Sequence, residues 1–305
     1  MIIEMNKEKV LYEKPKFNIN ESKYINKIDS LLNEECGNFK NQYLLAKELS
    51  NVIIDNYKSG IYRFEYNPIN NDIFKTVLID LDRNTLPNSS ASINRINDEE
   101  RLIGISISIP YRLMIDKQDI ALKRIYDAIT HELMHGYVYL NRMDNNVENV
   151  IDTPEWYEKL QILRNNVNYD SLVYKFSYAM YVTYYQEVNA IVSQSKVQFH
   201  ELTKDLEKNN ENYNKALKQC DSFQIYNMIL HDVVPIIENM GDNEIFYYIV
   251  DIFNKFDINM NVNDIRNECK RIKKVSEYAL DKIIKNALYE CYDIRGGIYN
   301  FIFED

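Results

Sequence analysis

Apolar positions change their spacing along this chain. From Asn38 to Tyr57 they recur at helical intervals, with Leu44, Leu45, Leu49, Val52 and Ile53 forming one stripe. Asn20 to Leu32 reads as a shorter helix ahead of it, set off by Cys36-Gly37, and residues 1–17 read as an irregular lead-in. Between 61 and 110 the period drops to two. Ile61 to Tyr66, Phe74 to Leu81 and Leu102 to Ile109 are short, rich in β-branched or aromatic residues, and bounded by Asn or Pro clusters, which predicts three strands. The last alternates, with Ile103, Ile105, Ile107 and Ile109 on one face and Gly104, Ser106 and Ser108 on the other.

Beyond Pro110 the pattern returns to helix. Asp116 or Asp119 is placed to cap a helix running to about Leu140, and Asp152-Thr153-Pro154-Glu155 opens the next, with Pro just inside its start. One long helix is predicted from Ser171 to about Leu206, then others over Asn212–Ile237, Asp242–Phe256 and Val262–Tyr292. No Gly falls between Gly136 and Gly241, so little interrupts these runs. The expected fold is α+β and predominantly helical. An N-terminal helical segment (1–60) precedes a core (61–209) whose small sheet packs on the 117–140 helix, and a helical C-terminal region (210–305) follows.

Composition narrows the function classes. At 305 residues, 46% hydrophobic and 27% charged, the chain is ordinary globular material. Its net charge of −10 and lack of a basic patch argue against nucleic-acid binding. The short basic cluster Lys270-Arg271-Lys273-Lys274 reads as a solvated helix face. Cys36, Cys220, Cys269 and Cys291 are too scattered for a disulfide framework, which favours a reducing compartment. The first residues lack the apolar segment of a signal peptide, and no apolar run approaches ~18 residues. A cytoplasmic protein without a membrane span is expected, and export that needs no N-terminal signal stays open.

One motif carries chemistry: His131-Glu132-Leu133-Met134-His135. Residues four apart on a helix share a side, so both imidazoles can reach one metal ion. Glu132 then stands beside the ion and not on it, where a general base for an attacking water belongs. The chain has only 4 His, and its composition makes such a pattern a chance event roughly 0.004 times per chain. The apolar neighbours Ala128, Ile129, Leu133, Met134, Val138 and Leu140 speak against two idle surface histidines.

The stretch Thr130-His131-Glu132-Leu133-Met134-His135-Gly136 resembles the active-site helix of the zincin metallopeptidases, over roughly residues 100–195. The resemblance implies Zn2+, a peptide or protein substrate, and a sheet-edge strand that holds extended substrate. The 102–109 strand lies in the matching place for strand addition, unless it is an ordinary half-buried strand. The metzincin extension is absent, because no His occurs between His135 and His200. Gluzincins instead supply a Glu from a later helix in a pattern close to E-x-x-[AS]-D. Glu187-Val188-Asn189-Ala190 matches its first part, and Ile191 stands where that family has an Asp that orients a zinc histidine.

Glu187 is also singled out by its surroundings. Thr183, Tyr184, Ala190 and Ile191 lie within a turn of it, and a buried carboxylate needs a cation; the alternative is a Glu at the edge of that face bonded to a Tyr or Lys. His200 is the rival ligand, followed by Glu148 and Asp152. The second electrophile for a developing oxyanion is open among Tyr184, Tyr185, His200 and His231, with Tyr184 placed first. Trp156 reads as a packing residue.

These residues point to a zinc-dependent peptidase with Glu132 as general base. The alternative is a zincin-fold component of a larger assembly with little turnover, docking a protein partner through its C-terminal helices. A third option is a non-peptidase zinc hydrolase; peptide deformylase shares the motif but takes its third ligand from an upstream Gly-Cys-Leu-type motif, which Glu34-Glu35-Cys36-Gly37-Asn38 does not match.

Overall fold

A computed structural model describes residues 39–69, 71, 73–84, 90–97, 99–144, 155–207 and 210–292. The expected helix over 20–32, Glu148 and Asp152 lie outside those residues. The described residues fall into two compact units, one within Ser30–Asp152 and one within Thr153–Asp305. The fold is α+β and predominantly helical.

In the first unit, α1 (Phe39–Lys58) buries Leu45, Leu49 and Ile53 of the predicted stripe, whereas Val52 is half-buried and Leu44, at the stripe's border, is exposed. Gly60 ends it in the left-handed region (φ 76°), where a residue without Cβ meets no strain.

Four strands follow: β1 (Arg63–Tyr66), β2 (Thr76–Asn84), β3 (Ser90–Asn97) and β4 (Leu102–Pro110). Their order is β1-β2-β4-β3, with β2 and β4 parallel and the other two pairs antiparallel. Val77, Ile79 and Leu81 lie opposite Ile103, Ile105 and Ile107. All six are buried, and the four isoleucines of β4 are fully so. Each such side chain contributes about 1.5–3 kcal/mol by leaving water.

Two sequence expectations change here. The 102–109 strand is not an edge strand, because β2 and β3 pair with its two sides. The edges are β1 and β3, and β3 is the strand that the alternation rule misses. Ile93 and Ile96 are three apart, yet they face Ile105 and Ile103, because an irregularity at Asn94 inserts one extra residue into β3. The bulge hides the period of two.

Helix α2 (Tyr111–Asp116) leads into α3 (Gln118–Asp144), which is one continuous helix of 27 residues. Asp119 lies in its first turn, where an acidic side chain suits the helix dipole. The buried face of α3 (Ala121, Ile125, Ile129, Leu133 and Leu140) includes Gly136, where the helix meets the sheet. A Cβ on Gly136 would lie 2.4 Å from Ile103 Cδ1 and 3.2 Å from the Phe74 ring. Any larger residue must push aside the tip of Ile103 and crowd the Phe74 ring, so glycine lets α3 lie close against these two side chains.

The second unit is helical. It contains α4 (Glu155–Asn166), α5 (Leu172–Val182), α6 (Tyr185–Thr203), α7 (Asn210–Gln219), α8 (Asp221–Met228), α9 (Val234–Asn239), α10 (Asp242–Ile245), α11 (Asp251–Lys255) and α12 (Val262–Tyr292). Wider π-type turns at Ile229–Val233 and Phe246–Val250 join α8 to α9 and α10 to α11. The single helix expected over 171–206 is broken at Thr183-Tyr184. The Ser171 hydroxyl caps α5 by accepting from the Tyr174 N–H at 3.2 Å. Among the described residues no helix is long and apolar enough to cross a membrane.

Candidate metal centre

His131 and His135 stand one turn apart on α3, on its half-exposed side. Gly136, the sheet contact, lies about 100° further round the helix from His135, so the sheet fixes the helix while leaving the imidazoles clear of it. The two Nε2 atoms are 3.0 Å apart, and the rings are edge-on, with centroids 4.7 Å apart and planes at 83°. Two nitrogens bound to one tetrahedral zinc at ~2.0–2.1 Å stand about 3.3 Å apart, so the pair needs little movement to share an ion.

Glu132 is buried at 9% exposure. The Thr130 hydroxyl donates to the Tyr126 carbonyl at 2.8 Å, satisfying itself within the helix. Asp127, also buried, lies one turn before His131 on the same side of α3. The sequence pattern did not single it out, since a lone Asp one turn ahead of the motif belongs to no spacing rule.

In the second unit Glu187 occupies the first turn of α6 and is 5% exposed. Its Oε1 accepts a 2.6 Å hydrogen bond from the Tyr157 hydroxyl of α4. Tyr157 packs at 5.1 Å from the Tyr181 ring and 5.2 Å from the Tyr184 ring. Burial first, then the Glu187 and Tyr181 neighbours, raises the Tyr157 pKa well above the ordinary phenol value. It is therefore neutral, and a donor, throughout the physiological range. The Arg164 guanidinium lies 4.3 Å above the Tyr181 ring, and the same aromatic group includes Tyr178, whose pKa burial pushes up to about 12 against the opposing pull of Arg164.

His131, His135 and Glu187 each offer one donor atom, and the three atoms all lie within 4.8 Å of one another, so the group could hold a metal ion. The remaining candidates stand elsewhere. His200 is on α6 but exposed, and His231 is exposed on the first π-type turn. Neither joins that group among the described residues. Tyr184 is buried at the break before α6, 4.6 Å from the Tyr185 ring and 6.1 Å from the Trp156 ring. Trp156 thus packs as its sequence setting predicts. Tyr157 is the residue that sequence reasoning missed. In a chain with 25 Tyr, nothing in the spacing sets it apart from the others.

No family model, curated protein or solved structure matches the chain.

The hydrogen bond from Tyr157 makes a separate prediction. Tyr157→Phe keeps the ring among Tyr181 and Tyr184 and removes the donor. Groups that orient a ligand are worth ~10–100-fold in metal affinity. A loss in that range is expected when the variant competes with a chromophoric chelator for zinc. An affinity equal to wild type would remove Tyr157 from the centre.

Proposed function

We propose that this chain is a zinc-dependent peptidase of the zincin type, with His131, His135 and Glu187 as its metal ligands. The donor set fits the ion: two imidazoles and one carboxylate are a usual catalytic zinc set, and they leave a fourth position open. Zinc held there would polarise the scissile carbonyl and bring the pKa of water toward ~7.

The observation that carries the catalytic reading is Glu132. It follows His131 directly on α3, is buried, and lies outside the ligand group among the described residues. A metal clamp has no use for a second buried carboxylate beside its ligands, whereas hydrolysis needs a base. Glu132 accepts the proton of the attacking water on its carboxylate and delivers it to the departing amine. Tyr184 is the proposed second donor to the developing oxyanion. It is buried, and its ring packs on Tyr157, which in turn bonds Glu187. An extended substrate would add to β3, the exposed side of the sheet next to β4, and not to β4 itself.

The second reading, a zincin-fold component of an assembly, has its own support. Phe246, Tyr247 and Tyr248 of the C-terminal helices are 45%, 70% and 59% exposed. Turnover separates the two. An unfolded protein substrate is expected to be cut, with cutting stopped by 1,10-phenanthroline and restored by added zinc. Folded, zinc-loaded protein that cuts no such substrate would favour the assembly component.

A further inference from the structure

The approach to Glu187 is where the second unit departs from its local sequence. The segment Tyr181-Val182-Thr183-Tyr184-Tyr185-Gln186-Glu187 has no Gly or Pro, and its pattern predicts unbroken helix. Instead α5 stops at Val182. Thr183 follows at φ −97°, ψ 6°, and Tyr184 is extended at φ −70°, ψ 139° before α6 begins. In a continuous helix the ψ of Tyr184 would be near −42°, so the break redirects the chain immediately before Glu187.

A break releases backbone carbonyls from the helix ladder, and here they are sealed from water. Val182 and Thr183 are 1% and 0% exposed. Unpaired carbonyls in such a place are expensive, so something must supply donors. Two residues remote in sequence do. The Tyr226 hydroxyl of α8 donates to the Val182 carbonyl at 3.0 Å. Arg271 of α12 donates from Nη1 to the Thr183 carbonyl at 2.8 Å and from Nη2 to the Thr183 hydroxyl at 3.0 Å. That hydroxyl in turn donates to the Ala179 carbonyl at 2.6 Å. Glu268 fixes the guanidinium from behind, accepting from Nε at 2.9 and 3.0 Å. Arg271 is therefore not part of a solvated basic face, as the Lys270–Lys274 cluster suggests. Its planar fork meets a carbonyl, a hydroxyl and a carboxylate at once, which a lysine cannot do.

We propose that Arg271, assisted by Tyr226, is a positioning residue for the metal ligand Glu187. By satisfying the carbonyls of the helix break it holds the break open, and so sets the direction of the first turn of α6. The proposal rests on the reading of Glu187 as a ligand. It also gives the C-terminal helices a task in the metal centre beyond general packing.

The test is zinc affinity, measured by competition with a chromophoric chelator well below the melting temperature of every variant. Arg271→Met is expected to weaken zinc ~10–100-fold, as orienting groups do. Arg271→Lys, which keeps a cation beside Glu268, is expected to fall between that and wild type. Arg266→Met is the control for mere stability. Arg266 also lies on α12 and bonds Asp242 and the Met240 carbonyl, away from the break. It is expected to lower the melting temperature and leave zinc affinity unchanged. If Arg271→Met does not fold, Tyr226→Phe decides, since it removes one hydroxyl and is expected to cost several-fold in affinity. Wild-type affinity in these break variants, alongside lost zinc in Glu187→Ala, overturns the proposal and leaves the metal reading standing. An equal loss in Arg266→Met overturns it too. A wild type that takes up no zinc overturns the metal reading, and this proposal with it.

Discussion

Zinc-loaded Glu132→Gln protein is expected to keep its fold and its metal and to lose at least ~10²-fold in peptidase turnover, and up to ~10⁴-fold. The amide has nearly the shape of the carboxylate and keeps one hydrogen-bonding oxygen, so the packing at this 9% exposed position on α3 changes little. It lacks the basicity to take a proton from water. Because Glu132 is outside the ligand group, its loss should not release zinc. The measurement is the initial rate of substrate cleavage at equal zinc occupancy. If wild type and variant cut equally fast, and chelator stops both, the proposed role of Glu132 is wrong.

The ligands make the second large prediction. His131→Ala or His135→Ala should reduce the metal content of purified protein from roughly one zinc per chain to a trace, because a two-ligand remnant cannot compete with buffer. Glu187→Ala should weaken binding strongly. His200→Ala should not, because His200 is exposed on α6 and stands outside the ligand group. Elemental analysis after dialysis against a weak chelator reads all four. A ranking in which His200→Ala loses zinc and Glu187→Ala keeps it would move the third ligand.

The ligand candidates were easier to read in the sequence than their supports. His131, Glu132 and His135 are legible because helical geometry alone brings positions four apart to one side, whatever the rest of the chain does. Glu187 was legible from the apolar residues around it. Tyr157 was not, since its tie to Glu187 is made between α4 and α6 and leaves no trace in spacing. Arg271 looked like one charge in a basic run, because the carbonyl it serves belongs to a residue 88 positions earlier. The sheet shows the same division. β4 announces itself by strict alternation, whereas β3 is polar and bulged, and only pairing with β4 makes it a strand. The broken helix at Thr183-Tyr184 is a tertiary override. Local propensity favours continuity, and donors from α8 and α12 stabilise the interruption. In each case the missed feature depends on a partner distant in sequence.

The central claim is that His131, His135 and Glu187 bind one zinc ion. Anomalous X-ray scattering from crystals of the unmodified protein, collected on either side of the zinc absorption edge, tests it most directly. One peak is expected, in contact with Nε2 of His131, Nε2 of His135 and a carboxylate oxygen of Glu187 at ~2.0–2.2 Å. No zinc peak at these three residues in zinc-supplemented protein, or a peak on the histidines with Glu187 turned away to another partner, would contradict it.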